Sequence, residues 1–453
     1  MSSSVLPPGQ PDRIARLATG VVGGPRGRHA VTPSGRPHLL LVAALLSLGA
    51  CLTLALGFLQ KSHCVRFGWA VPQVYWKGCY SDLPSYAGNP GLTGGLPYDA
   101  GSALGEPVGV GVVLRLLAVF VPADGFARQQ GLFVAWAVLA AVLLVVTVLA
   151  TVWTCRAHPE WAAHVAFSPL VATVALVSLD LVGVALTSVA MWLWSRGRLT
   201  AAGVVFGLAV ATRTYPLLVL VVLGVLALRA GALRDWARTA GVALVTAVLV
   251  VGGVSLAYGT GTLAAYQSWA AATAQLGSPW YVATLWERPI AMGVLTLLAV
   301  FGWALAVGAG ALLALAAPVR PRIGEIAIVV LVLVLITGKS LPVQSSLWLV
   351  PLAAIAGLPW RDHLLWALTE VLYFVAVWLY LGGLDDAAAA LPKAWYAAFL
   401  VLRLAGLVWL AAAATRQAMN RRDHGTVFDA PPIDEAAGRM AALPDAVVVR
   451  YEQ

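Results

Sequence analysis

Six ionisable side chains stand where an apolar chain has little use for them. Asp82 lies in Cys79-Tyr80-Ser81-Asp82-Leu83-Pro84, Glu106 precedes Pro107, and Asp180 opens an apolar run in Ser178-Leu179-Asp180-Leu181. Arg213 sits between two apolar runs in Ala211-Thr212-Arg213-Thr214-Tyr215-Pro216, Arg288 follows Trp286 and Glu287, and Lys339 shares a short polar stretch with Gln344. A charge near a bilayer is costly unless it faces water, a partner or a ligand. Together these types suit one chemistry. A lipid-phosphate leaving group departs as an anion, and Arg or Lys near its oxygens stabilises the developing charge. A sugar hydroxyl is a poor nucleophile and gains from a carboxylate base within hydrogen-bond reach. One carboxylate and a cationic phosphate clamp therefore suffice for a single displacement, without the carboxylic-acid pair of a hydrolase. No His/Cys cluster has metal-ligand spacing, and Asp82 is not part of a D-x-D, so no cofactor is expected and a required metal is not supported, although the scattered carboxylates leave a metal open.

Each residue also has a plainer role. Asp180 reads equally as a helix N-cap. Arg213 reads as a snorkelling side chain or as the partner of Asp180. Glu287 and Arg288 read as a solvated pair, Glu106 as a loop carboxylate, and Asp82 as a turn residue before Pro84. What favours the chemistry is that all of them fall on one side of the chain's topology.

That topology follows from composition. Of 453 residues, 60% are apolar and 11% charged, against about 45–50% and about 25% in soluble domains. A soluble enzyme, a disordered chain and a collagen-like fibre are excluded, leaving an all-α polytopic membrane protein. Apolar runs occur at about 39–59, 131–154, 162–177, 178–195, 199–214, 216–230, 238–257, 291–316, 324–338, 345–358, 363–382 and 396–415. The stretch 107–122 carries Arg115 in its middle. Leaving it out as an interfacial or re-entrant segment puts Arg196, Arg198, Arg229, Arg234, Arg238, Arg320 and Arg322 on the side of the N-terminus, as the positive-inside rule asks. The expectation is twelve spans with both termini cytoplasmic in a plasma membrane, and two outer segments at about 60–130 and 258–290. Residues 1–38, rich in Pro, Gly, Ser and Arg, read as a mobile tail, 39–415 as the transmembrane domain, and 416–453 as a weakly ordered cytoplasmic tail. The net charge of +9 points to topology and anionic lipid rather than nucleic acid. Cys64 and Cys79 share one polar stretch; in an oxidising compartment they would form a disulfide worth roughly 3 kcal/mol, and otherwise two free thiols. Spacings such as Gly203/Gly207 suggest close helix packing.

Several of these segments resemble the polyprenyl-phosphate-sugar-dependent glycosyltransferases of the GT-C fold, specifically glycosyltransferase family 87, which includes actinobacterial mannosyltransferases that elongate phosphatidylinositol mannosides. The family's Tyr-Ser-Asp-Ile-Pro is similar to Tyr80-Ser81-Asp82-Leu83-Pro84, and its Asn-Trp-Asp-Leu-Leu in part to Ser178–Val182, keeping Asp180. Its Ala-Thr-Lys-Leu-Tyr-Pro resembles Ala211–Pro216 with Arg213 in place of Lys. Its Gly-Lys-Val-Leu-Ser-Pro-Gln-Tyr-Ser-Leu-Trp resembles Gly338–Trp348, keeping Lys339, Gln344 and Trp348. Trp360-Arg361-Asp362 and Glu370-Val371-Leu372-Tyr373-Phe374 also look familiar. The sequence departs at Pro342-Val343-Gln344-Ser345, at Glu106-Pro107, and at Arg213, where a planar fork replaces a point charge.

The resemblance implies a GT-C-like bundle with a large first outer loop and an inverting hexosyltransferase acting at the extracytoplasmic face. It would move a sugar, mannose before arabinofuranose, from a polyprenyl-phosphate donor to a lipid-linked or glycan acceptor. Asp82 is then the base. Arg213 and Lys339 hold the donor phosphate, with Arg288 and Arg115 behind them. Tyr80, Glu106, Asp180 and Gln344 support the site, and Trp280 or Trp286 stacks on a sugar or anchors the interface. The rival from another class is a non-enzymatic flippase of a lipid-linked sugar, which would use the cations but not Asp82.

Overall fold

The computed structural model describes residues 14, 39–99, 101, 103–385, 391–421 and 434–449. The tail expected at 1–38 lies outside them apart from Ile14, as do 422–433 and 450–453 at the other end. The described residues are helical, with no strand. The principal helices are α1 (Leu39–Gln60), α2 (Val108–Val119), α3 (Gly125–Thr154), α4 (Asp180–Ser195), α5 (Leu199–Thr212), α6 (Tyr215–Arg229), α7 (Leu233–Tyr258), α8 (Met292–Ala316), α9 (Ile323–Thr337), α10 (Val350–Ala356), α11 (Trp360–Asp385) and α12 (Lys393–Asn420). Among the described residues, six helices are long and apolar enough to cross a membrane, and shorter apolar helices pack among them. The molecule is a polytopic membrane protein.

Its outer surface makes the point physically. On α1, Leu41, Leu45, Leu48, Leu52, Leu56 and Leu59 are exposed, while Ala43, Leu46, Ala50 and Leu54 are buried. Leu244, Val245, Val248, Leu249 and Leu256 are likewise exposed on α7. Apolar belts of this extent require a lipid solvent. Small residues line the inner contacts. A Cβ on Gly57 would stand 2.3 Å from the Ala172 carbonyl oxygen. One on Gly203 or Gly207 would stand 2.6 or 2.5 Å from the carbonyls of Thr239 and Ala243 on α7. The Gly203/Gly207 spacing is thus a close helix contact.

Two apolar runs are not continuous helices. Residues 162–177 form two short pieces, Ala163–Ala166 and Pro169–Val174, interrupted at Phe167-Ser168. Ser168 Oγ caps the second piece by accepting from Leu170 N, and Pro169 fits its first turn because it needs no N–H partner there. Residues 345–358 begin as a 3₁₀ turn, Val343–Trp348, before α10.

The chain leaves α1 and enters α3 at one end of the bundle. Gln130 Nε2 donates to Val65 O at 2.6 Å and Arg128 to the carbonyl of Ala87 at 3.0 Å. Residues 61–124, including α2, therefore start and finish at that end. They are held as a compact cap. Cys64 and Cys79 are joined by a disulfide with Cα atoms 6.0 Å apart, Asp82 N donates to Val177 O at 2.7 Å, and Leu96 N donates to the Tyr258 hydroxyl of α7 at 2.9 Å.

At the opposite end residues 434–449, part of the 416–453 tail expected to be weakly ordered, pack against the bundle; 422–433 and 450–453 lie outside the described residues. Ala436, Ala437 and Met440 are buried. Asp445 pairs with Arg229 at 2.7 Å and Arg320 at 2.6 Å. Arg229 is a fully buried cation that needs such a partner.

Candidate active site

The site is built where the cap meets the ends of α4, α5 and the loop after α9. Asp82 follows the disulfide-closed turn and precedes a short helix, Leu83–Tyr86, whose N-terminus its side chain does not cap. It lines a cavity of about 350 Å³ together with Tyr75, Tyr80 and Trp378, and with Gln275 and Gln344 from two later segments. Tyr80 stacks on Trp378 with ring centroids 4.6 Å apart, and Tyr75 on Trp378 at 6.0 Å. The cavity thus offers one aromatic wall, two amides and one carboxyl.

Burial, with the charges of Glu106 and Asp180, pushes the Asp82 carboxyl up to about 7, against the Tyr80 hydroxyl and the Arg213 guanidinium, which hold it down. Lys61, fully buried at the foot of the cap, donates to Tyr80 O at 2.7 Å. Burial pushes its ammonium down to about 7, opposed by Asp82. Nothing in the local sequence marks Lys61 as more than a snorkelling residue after the first span; its burial is the signal.

Arg213 is the hub beside Asp82. It ends α5 and donates from Nε to Asp180 and from Nη1 to Glu106 at 2.5 Å. Asp180 also accepts from Trp348 Nε1 at 3.2 Å, so its carboxylate braces Arg213 rather than capping α4. Glu106 accepts from the Tyr86 hydroxyl at 3.0 Å. Trp348 in turn stacks on Tyr215, centroids 4.9 Å apart. Asp82, Tyr80 and Gln344 thus share one cavity, and Glu106, Asp180 and Arg213 form an ion network whose charges act on Asp82.

The remaining cations are placed differently. Lys339 is buried and donates to the carbonyls of Trp269 at 3.2 Å and Ala270 at 2.9 Å, with its ammonium 4.8 Å from the Trp269 ring. Arg115 donates to Leu92 O at 2.8 Å, tying α2 to the preceding part of the cap. Arg288 is exposed. Neither these three nor Arg213 lines the Asp82 cavity; Arg213 differs in that its charge acts on Asp82. Trp280 donates to Thr337 O at 3.2 Å, and Trp286 is exposed under Lys393; the aromatic wall comes from Tyr75, Tyr80 and Trp378 instead.

A second buried cation positions the loop after α9. Arg403 of α12 pairs with Glu370 of α11 at 2.9 Å and donates to the carbonyls of Leu341 and Pro342 at 2.5 and 3.0 Å. Those two residues lead directly to Gln344. Among the described residues, no group of three or more His, Cys, Asp or Glu is arranged to hold a metal ion. No family model, no curated protein and no solved structure matches the chain.

Proposed function

We propose that the chain is an inverting glycosyltransferase of the GT-C kind, built of about twelve spans, with the Asp82 end extracytoplasmic and both termini cytoplasmic in a plasma membrane. It moves a sugar, mannose foremost, from a polyprenyl-phosphate donor to a lipid-linked or glycan acceptor. The observation that carries this reading is Asp82 in an aromatic-walled cavity, its carboxyl raised to about 7 beside the Glu106–Arg213–Asp180 network. The motif resemblance at Tyr80–Pro84, Ala211–Pro216 and Gly338–Trp348 supports it further.

In the reaction the acceptor oxygen attacks the anomeric carbon on the face opposite the phosphate. Its proton passes to the Asp82 carboxylate, and the anomeric carbon–oxygen bond breaks with its electron pair leaving on the phosphate. A base with a pKa near the working pH is best matched to this task. In this reading Arg213 meets the phosphate, and its pairing with Asp180 and Glu106, which fixes the plane of its guanidinium, supports that role. Lys61 acts through Tyr80 and Asp82 as a positioning residue, and Lys339 through the loop it anchors. Trp378 and Tyr80 offer the flat apolar surface on which a sugar ring stacks.

The test is product formation by the purified full-length chain in detergent, with polyprenyl-phosphate-mannose as donor. Glycosylated acceptor formed without a sealed membrane is the expected result. Lipid-linked sugar moved across vesicles with no product would establish the flippase. Transfer from polyprenyl-phosphate-arabinofuranose alone would change the sugar and keep the mechanism.

A further inference from the structure

At the end of the bundle opposite Asp82, the starts of α9 and α11 and the end of α12 surround an open cavity of about 460 Å³. Four arginines line it: Arg322, Arg361, Arg416 and Arg421. Their ion-pair partners are fewer. Asp362 takes Arg361 at 3.3 Å and Glu325 takes Arg421. Arg322 lies 4.5 Å from the Trp161 ring and donates to Ala356 O at 2.9 Å. Arg416 lies 5.0 Å from the Trp409 ring. Even with Asp434, which stands near Arg322 and Arg421, cations outnumber acids among the described residues. Guanidinium groups with spare N–H donors in an open polar cavity suit the oxygens of a phosphate.

The surface next to this cavity is apolar. Leu365 and Leu368 follow Arg361 by one and two helical turns and are 45% and 54% exposed, and Trp409, two turns before Arg416, is 38% exposed. A basic pocket at helix ends, continuous with an exposed apolar stripe, matches a lipid with an anionic headgroup better than a free anion. We propose that this pocket binds an anionic phospholipid, its phosphate among Arg361, Arg416 and Arg421 and an acyl chain along Leu365, Leu368 and Trp409. The site is distinct from the Asp82 cavity and independent of the proposed transfer.

The experiment is native mass spectrometry of the delipidated full-length protein in detergent, titrated with phosphatidylglycerol or with phosphatidylcholine of the same acyl chains. Phosphatidylglycerol is expected to be retained at least about tenfold better. R361Q/R416Q should weaken that retention about 30-fold, roughly fivefold for each cation. Both side chains are exposed, so the fold is kept, which an unchanged melting temperature in detergent checks. L368Q, which leaves every arginine in place, should also weaken retention. Millimolar inorganic phosphate should not displace the lipid. Equal retention of the two lipids, undiminished binding by R361Q/R416Q, or displacement by phosphate overturns the proposal, the last marking a site for small anions.

Discussion

Asp82 owes its character to what surrounds it rather than to its own type. Burial and two nearby carboxylates push its carboxyl up to about 7, while Tyr80 and Arg213 limit the rise. Only the ionised form accepts a proton, so transfer is expected to fall as pH drops through about 7 and to level off above it. Removing the Glu106 charge takes away one cause of the rise. The acid limb of the E106Q rate profile should therefore move to lower pH, and a limb that stays put would show that Glu106 does not act on Asp82. The pairing of Asp180 with Arg213 was open to a reader of the sequence as one of two plain readings. The third member, Glu106, was legible as a supporting residue, but its pairing with Arg213 was not, because 107 positions separate the two. Lys61 was hidden more completely, since burial after the first span cannot be told from snorkelling by residue type.

Helices position the site through buried polar contacts that apolar periodicity does not register. The pair Arg403–Glu370 joins α12 to α11 and grips the carbonyls of Leu341 and Pro342. Deleting one partner of a buried pair typically costs about 3–5 kcal/mol, whereas replacing both by apolar side chains of similar volume is often neutral. R403M is expected to lower the melting temperature in detergent, and R403M/E370M to restore it. Transfer activity should stay low in both, because neither holds the loop that carries Gln344; full activity in the double variant would remove that positioning role. Several apolar runs are short enough to suggest broken helices, but they do not place the breaks at Phe167-Ser168-Pro169 and before α10, since runs of apolar residues look alike whether or not the backbone is interrupted. Pro169 and Pro342 were the available signals.

Across the whole molecule, two closures hold the bundle. One is the disulfide-linked cap at the Asp82 end; the other is residues 434–449, where Asp445 bridges Arg229 and Arg320. Asp445 is held below the usual carboxylate range by hydrogen bonds and charge from those arginines, against the effect of burial. Its contribution is therefore present above the ordinary carboxylate pKa and lost as pH falls through its own lower value. D445A should lower thermal stability while leaving the Asp82 cavity intact, measured as a reduced melting temperature with donor affinity retained. The polar composition of this stretch suggested a loose tail, because its partners lie more than 100 residues away. The membrane class, by contrast, was readable from composition, as lipid is the one solvent that accepts so many exposed leucines. The account as a whole stands on one acid doing one job. In a transfer assay with polyprenyl-phosphate-mannose, D82N is predicted to lose at least about 100-fold in kcat with the donor KM nearly unchanged. Transfer by D82N at close to the wild-type rate would contradict the account.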